Sequence, residues 1–372
     1  MTKFPAIFLS ADDLLPTDIV MLLVYRNPAA GVADSLDVGL RVFPHLTGKL
    51  VDGPPCIVPA GDFAMETEVS TEALAVEDFE RMPDETLCAR FVPAACEGGL
   101  FAMRRVDFPR TGVMALGLRV SHMAVDGTGL GLFLAHATAG ARGVSAPPVV
   151  HDRAAMGVAD GPCGAMPEGY VAQQPVAVPT VGRPLWFAVP MDAAGPRNAF
   201  AAWLCGETAR IDPGISRVAI WCNTRGRGGP PPTYTGNAGC YRHVGITGDD
   251  SALAAGIQVL ATRAELARAR RMHQEILRLR AAGRDVWWDG PRADVLELNL
   301  LSPPVEVADF GSGAPAFALL LSRNSNGLRV FPGVCGRRFV VEATLPPGVA
   351  AALVEACAKR GLAPDVWGGG GR

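Results

Sequence analysis

The sequence predicts an α/β (α+β) protein of two domains, and three observations carry that prediction. Strand-like and helix-like patterns alternate in both halves of the chain. The 372 residues, 49% hydrophobic and 19% charged, can fill two cores of common size. Between the halves, Gly140 to Pro184 is rich in Ala, Gly, Pro and Val without a clean period, which reads as a long crossover. The expected divisions are a first domain over 1–140, a crossover over 141–184 and a second domain over 185–372.

Each element follows from its pattern. Leu9 to Pro16 is turn-rich, and Ile19 to Tyr25 reads as a buried strand. Ala33 to Val42 has a helical period with Asp34 or Ser35 as its cap, and Leu36, Leu40 and Phe43 on one side. Pro44 breaks it, and a strand is expected through Leu50 and Val51; His45, beside that proline, is read as structural. Phe63 to Val69 suggests a strand, and the mixed, acidic stretch Val76 to Phe91 resolves into neither type. Gly99 to Val106 and Gly112 to Ser121 read as neighbouring strands. An apolar helix follows from Thr128, its expected cap, to Ala139, with Leu130, Phe133, Leu134 and Ala137 on one face and His136 packed in it. His151 in the crossover is expected to be solvated. In the second half, Trp186–Pro190, Val218–Asn223, Val295–Leu301, Ala316–Ser322, Leu328–Phe331 and Arg338–Ala343 are strand-like. Helices are expected over Ala199–Thr208, from a cap at Asp250 to about Ala282, and over Pro347–Arg360. The long middle helix carries Arg263, Arg268, Arg270, Arg271, Arg278 and Arg280, by default a solvated basic face. The tail Gly368 to Gly371 reads as disordered.

Composition excludes several classes. A net charge of −3 gives no strong field for nucleic acid. No apolar run reaches the ~20 residues of a membrane helix, and the first ten residues do not read as a signal peptide. Nine cysteines, none in Cys-x-x-Cys spacing, fit reduced thiols in a cytoplasmic protein.

The chemistry concentrates in Leu116-Gly-Leu-Arg-Val-Ser-His122-Met-Ala-Val-Asp126-Gly127. Leu116, Leu118, Val120 and His122 alternate onto one face, as in a half-buried strand that ends at a histidine. A strand end is where a rigid scaffold presents a side chain to a cleft, which suits a general base. Taken alone, the letters also fit a core histidine hydrogen-bonded at a strand end. A metal pair lacks an evident third ligand.

Four segments in order resemble the BAHD acyltransferases, within the superfamily shared with chloramphenicol acetyltransferase and condensation domains. His122 to Gly127 matches the family's His-x-x-x-Asp-Gly. Asp309-Phe-Gly311-Ser-Gly313 is similar to its Asp-Phe-Gly-Trp-Gly, with Ser312 in place of the tryptophan. Arg225, Arg227, Pro230 to Pro232 and Gly236-Asn237 match its arginine-rich strand end. Pro44-His-Leu-Thr-Gly48-Lys49-Leu50 matches its early elbow. The Thr-Ser-Trp that the family often carries corresponds to about Leu298-Asn299-Leu300.

The resemblance implies two chloramphenicol-acetyltransferase-like domains with mixed sheets flanked by helices. It implies an acyl-CoA co-substrate, no permanently bound cofactor and no metal. The acceptor would be a small alcohol or amine, reached through a tunnel by a monomeric enzyme. His122 would be the base. Asp126 would turn away and pair with Arg225, or with Arg227 in its place. The Gly127 N–H or Asn299 would serve the oxyanion. Asp309 would shape a turn far from the chemistry, with Gly127 and Gly311 needed for backbone freedom. Two other readings stay open: a condensation-like enzyme fed by a carrier-protein thioester, and an inactive binding protein with the same fold. Ser121, where condensation domains carry a second histidine, favours CoA.

Overall fold

A computed structural model describes residues 5–10, 13, 17–51, 56–59, 63–82, 84–96, 99–156, 170–171, 184–227, 229–259, 265–267, 271, 274–275, 278–279, 282–283, 287–288, 294–300, 304–321, 326–333 and 336–367. The chain forms two compact units that interleave along the sequence. The first comprises 1–157, 225–238 and 303–322; the second comprises 158–224, 239–302 and 323–372. Two stretches expected within the domain at 185–372, Arg225–Ala238 and Pro303–Ser322, therefore belong with the first unit. Hydrogen bonding gives the reason. The strand Phe317–Leu321 pairs antiparallel with the buried strand at Asp18–Tyr25, and Val150 bridges to Tyr234.

In the first unit, short strands β1 (Ile7–Phe8), β3 (Lys49–Val51) and β4 (Cys56–Val58) form a small sheet. The main sheet is built from β2 (Asp18–Tyr25), β5 (Glu66–Val69), β6 (Phe101–Phe108), β7 (Val113–Ser121) and the returning strand Phe317–Leu321. Its spatial order is Phe317–Leu321, β2, β7, β6, β5, so β7 is central. The half-buried strand expected at β7 is instead covered on both faces. Helices α1 (Val32–Val42) and α4 (Gly127–Arg142) pack together, because Gly39 lets the ring of Phe133 and the methyl of Ala137 come close. On the sheet itself, Gly117 makes room for the Phe91 carbonyl at the end of α3 (Asp84–Phe91), where any Cβ would lie 1.8 Å from that oxygen. The stretch Val76–Phe91 thus holds two helices, α2 (Val76–Arg81) and α3, whose Phe79 and Phe91 are buried. Leu130, Phe133 and Leu134 of α4 are buried, each contributing about 1.5–3 kcal/mol of transfer free energy.

The second unit is a seven-stranded mixed sheet. Its order is Gly239–Gly245, Arg217–Asn223, Val295–Asn299, Gly327–Pro332, Arg338–Thr344, Leu185–Pro190 and Asp365–Trp367. One face carries Val218, Ile220, Leu296, Leu298, Leu328, Val330 and Val341. These pack in one core with Phe200 and Leu204 of the helix Arg197–Ile211, Leu253 of the helix Asp250–Gln258 and Leu353 of the helix Pro347–Lys359.

Several expectations change in detail. Helix α1 starts after Gly31, with no side-chain cap. The helix expected to run from Asp250 to Ala282 is interrupted after Gln258, where Val259 is extended; its cap is Asp249, and the described residues 265–267, 271, 274–275 and 278–279 are helical again. Arg278 is exposed and pairs with Glu275 at 2.5 Å, as on a solvated face. Arg263, Arg268, Arg270, Arg280, most of the crossover and the tail Gly368 to Gly371 lie outside the described residues. No helix among the described residues is long and apolar enough to cross a membrane.

Candidate active site

His122 leaves the end of β7 on a loop that belongs to neither the strand nor α4, so its backbone groups need partners from elsewhere. They find them. The His122 N–H donates to the Thr17 carbonyl at 2.8 Å, and its own carbonyl accepts from Asn237 Nδ2 at 2.6 Å. The Ala124 N–H closes a turn onto the Ser121 carbonyl at 3.0 Å. The Ala124 carbonyl accepts from Arg153 Nη2 at 2.8 Å. Met123 N–H reaches Ser121 Oγ at 3.4 Å. The imidazole is half-buried, and its Nδ1 is enclosed without a hydrogen-bond partner among the described residues. A half-buried ring whose main chain is pinned on both sides is suited to exchange a proton with a molecule that reaches its open side.

Asp126 has no such capacity to spare. It is the N-cap of α4, where Thr128 was expected: Oδ1 accepts from Gly129 N–H at 2.8 Å. Arg225 donates to both carboxylate oxygens at 2.8 Å, and Ala238 N–H reaches Oδ2 at 3.2 Å. Four donors fill the acceptor positions of one carboxylate. The guanidinium is satisfied in turn by the Tyr234 carbonyl at 2.8 Å and the Gly236 carbonyl, and it lies over the Tyr234 ring. Arg225, not Arg227, is the partner of Asp126.

The glycine that the motif needs differs from the expected one. Gly127 is the first residue of α4 and is not among the described glycines with a positive φ. Gly129 is the sterically constrained position: a Cβ there would lie 2.2 Å from the Thr235 carbonyl. The Gly127 N–H remains one of those heading a helix, where anionic charge is favoured.

The second motif sits at the other end of the same sheet. Asp309 Oδ1 accepts from the N–H groups of Gly311 at 2.8 Å and Gly313 at 2.9 Å, and both glycines have positive φ, 100° and 86°. Phe310 packs edge-on against Tyr25, whose hydroxyl donates to Ala308 at 2.6 Å. Tyr25 opposes Met114 in β7 while Asp18 opposes Ser121. Seven residues of strand, roughly 23 Å, thus separate this turn from the histidine end of β7. Ser312, in place of a tryptophan, has its hydroxyl enclosed without a partner among the described residues.

Asn299 lies in the second unit, at the end of Val295–Asn299 and opposite Arg329. It shares a strand face with Glu297, away from the apolar core under Leu298.

Sequence reasoning missed Asp13 and Arg153, singled out Asn237 only within a matched segment and gave it no role, and misplaced His151. Asp13 is fully buried, 3.2 Å from Arg153 Nε, and accepts from Asn237 N–H at 3.0 Å and Nδ2 at 3.1 Å. His151 is not solvated. Its ring contacts the Val42 carbonyl at 2.8 Å and Thr235 Oγ1 at 3.0 Å, and burial chiefly lowers its pKa to about 4. His45 is fully buried with neither ring nitrogen partnered among the described residues. Burial first, then Arg153 and His151, hold its pKa well below the ordinary value. Burial pushes the thiols of Cys96 up to about 11 and of Cys357 to about 12, against nucleophilic use of either. Among the described residues, no group of three His, Cys, Asp or Glu could hold a metal ion.

No family model and no curated protein matches the sequence. Solved structures match over nearly the whole chain. TRI101 of F. sporotrichioides, complexed with coenzyme A and T-2, is 15% identical, with 98% of this chain and 100% of that one covered and a TM-score of 0.71. Vinorine synthase is 17% identical, with 95% and 94% covered and a TM-score of 0.70. The starter condensation domain of rhizomide synthetase, solved with C8-CoA and Leu-SNAC, is 13% identical, with 96% and 94% covered and a TM-score of 0.61. The chain therefore shares the fold of TRI101, vinorine synthase and the starter condensation domain.

Proposed function

We propose that the protein is an acyltransferase that moves an acyl group from acyl-CoA to a hydroxyl or amine of a small acceptor, with His122 as general base. One observation carries the reading. The histidine of the His-x-x-x-Asp-Gly segment stands at the end of a buried strand with its backbone fixed and its ring half-buried, in a chain that shares its fold with coenzyme A complexes. His122 takes the acceptor's proton as the acceptor attacks the thioester carbonyl. The tetrahedral oxyanion collapses, the C–S bond breaks and the thiolate leaves, taking up the proton from the imidazolium. No covalent enzyme intermediate is needed, because the thioester is already activated. A base of this kind contributes about 10²- to 10⁴-fold in rate. Asp126 works through geometry: with four donors on its carboxylate it fixes the loop and does not meet the acceptor. The Gly127 N–H and Asn299 are proposed to serve the oxyanion or the acceptor pocket, worth about 10²- to 10³-fold for an oxyanion donor.

The reading includes a cytoplasmic monomer that uses acyl-CoA as co-substrate and keeps no resident cofactor or metal. The seven free thiols among the described residues suit a reducing compartment. A donor held on a carrier protein is the second reading, favoured by the fold shared with the condensation domain. Ser121 before His122 weighs for CoA.

The test is a panel of acyl-CoAs crossed with alcohols and amines, read by thiol release and mass spectrometry. Acceptor-dependent release of CoA with formation of the ester or amide is the expected result. Release that does not depend on any acceptor contradicts the reading. Turnover only with carrier-bound thioesters selects the second.

A further inference from the structure

We infer that Asp13 is a positioning residue for His122, acting through Asn237 and Arg153 as a second clamp on the motif loop. The inference rests on the acyltransferase reading for its kinetic part only. The carbonyls of His122 and Ala124 lie in a turn with no ladder to receive them. Two side chains take them instead: Asn237 Nδ2 holds the first at 2.6 Å and Arg153 Nη2 holds the second at 2.8 Å. Both donors converge on one carboxylate. Asp13 Oδ1 accepts from the side-chain amide of Asn237 and from its backbone N–H. Oδ2 forms an ion pair with Arg153, 3.2 Å from Nε, and accepts hydrogen bonds from Ser10 N–H at 2.9 Å and Ser10 Oγ at 2.7 Å. Asp13, Asn237 and Arg153 are all buried, with exposures of 0%, 0% and 5%.

The division of labour with Asp126 is spatial. The Asp126–Arg225 pair fixes the start of α4. The Asp13 clamp fixes the two carbonyls that bracket Met123, and so the direction in which the His122 side chain leaves the main chain. The amide of Asn237 spans the gap because its two N–H bonds can point to two acceptors at once. Gly236 is part of the same device: a Cβ there would lie 2.5 Å from the Arg153 guanidinium. Arg153 lies over one side of the contact set of Tyr234, 5.3 Å from its ring centroid, and Arg225 lies 5.6 Å from the same centroid. Tyr234 is therefore a shared spacer between the two clamps.

The test uses the full chain with Asn237→Ala and, separately, Asp13→Asn, labelled with ¹³C at histidine Cε1. The His122 signal is assigned by its loss in His122→Gln. Each folded variant is expected to shift or split the His122 signal, and to lower kcat at least tenfold with both KM values within twofold of the parent. An unchanged His122 signal overturns the inference, and so does a shifted signal with parental kcat. If Asp13→Asn does not fold, Asn237→Ala decides alone. If the parent transfers no acyl group, the function reading fails. The His122 signal then decides the positioning role by itself, supporting it if moved and overturning it if not.

Discussion

Each unit buries a set of charges, and the two sets are used differently. In the first unit, Asp126 and Arg225 also bond main-chain groups outside any sheet ladder: the Gly129 N–H in the first turn of α4, the Ala238 N–H, and the Tyr234 and Gly236 carbonyls. In the second, Arg329 pairs with Glu342 at 2.8 Å, and Tyr241 donates to Glu297 at 2.6 Å. Those four side chains stand on strands already held by their own ladders; Arg329 faces Glu342 directly in register. Burial raises the pKa of Glu297, and Tyr241 and Arg329 pull it partly back. The difference teaches what a buried ion pair is for. Where the backbone is irregular, the pair is the scaffold. Where the backbone is a sheet, the pair only has to avoid being left half made.

The comparison can be broken most forcefully at Asp126. Asp126→Ala leaves a buried guanidinium unpaired and α4 uncapped, and should cost about 3–5 kcal/mol in a denaturant titration. The matched experiment lies in the second unit. Arg329→Met alone should cost a similar ~3–5 kcal/mol, while Arg329→Met with Glu342→Leu should return to parental stability or exceed it by about 1–4 kcal/mol. The corresponding double change, Asp126→Leu with Arg225→Met, should not recover, because four main-chain N–H and C=O groups outside any sheet ladder lose their partners. Recovery there would erase the contrast.

A smaller effect tests the packing of the same loop. Gly129→Ala pushes a methyl against the Thr235 carbonyl and should cost about 1–3 kcal/mol, seen as a lower Tm. The smallest concerns pH. His45 and His151 have pKa values lowered on folding, so the unfolded chain takes up their protons first as pH falls below about 6.5. Their neutral forms support folding fully above that pH, and the support fades as pH drops, for His151 through about 4. Tm should therefore fall between pH 7 and pH 5. His45→Phe, which keeps the ring beside Phe43 and removes two unpartnered nitrogens, should raise Tm at pH 7 and flatten that slope. An unchanged slope contradicts the assignment.

Much of this was legible in the residues. The strands at Asp18–Tyr25, Phe101–Phe108, Val113–Ser121 and Arg217–Asn223 follow from apolar runs and alternation. The His122–Asp126–Gly127 segment announced itself by a strand that stops at polar residues. Three things were not legible, each for a physical reason. Burial of β7 on both faces depends on Gly117 admitting a carbonyl, which period-two patterning cannot encode. The break after Gln258 has no proline and no glycine at its C-cap to mark it, Gly256 lying inside the helix. Asp13 and Arg153 lie 140 residues apart in turn-rich stretches, and only the tertiary fold brings them to the Asn237 amide. A buried aspartate among turn residues looks in sequence like any solvent-facing one.

The central claim is that the ring of His122 takes the acceptor's proton. The direct measurement is the single-turnover rate of acyl transfer by His122→Ala beside the parent, with Tm recorded on the same samples. The account predicts a rate about 10²- to 10⁴-fold lower with Tm close to the parent's. A folded alanine variant that transfers acyl groups at the parental rate contradicts it.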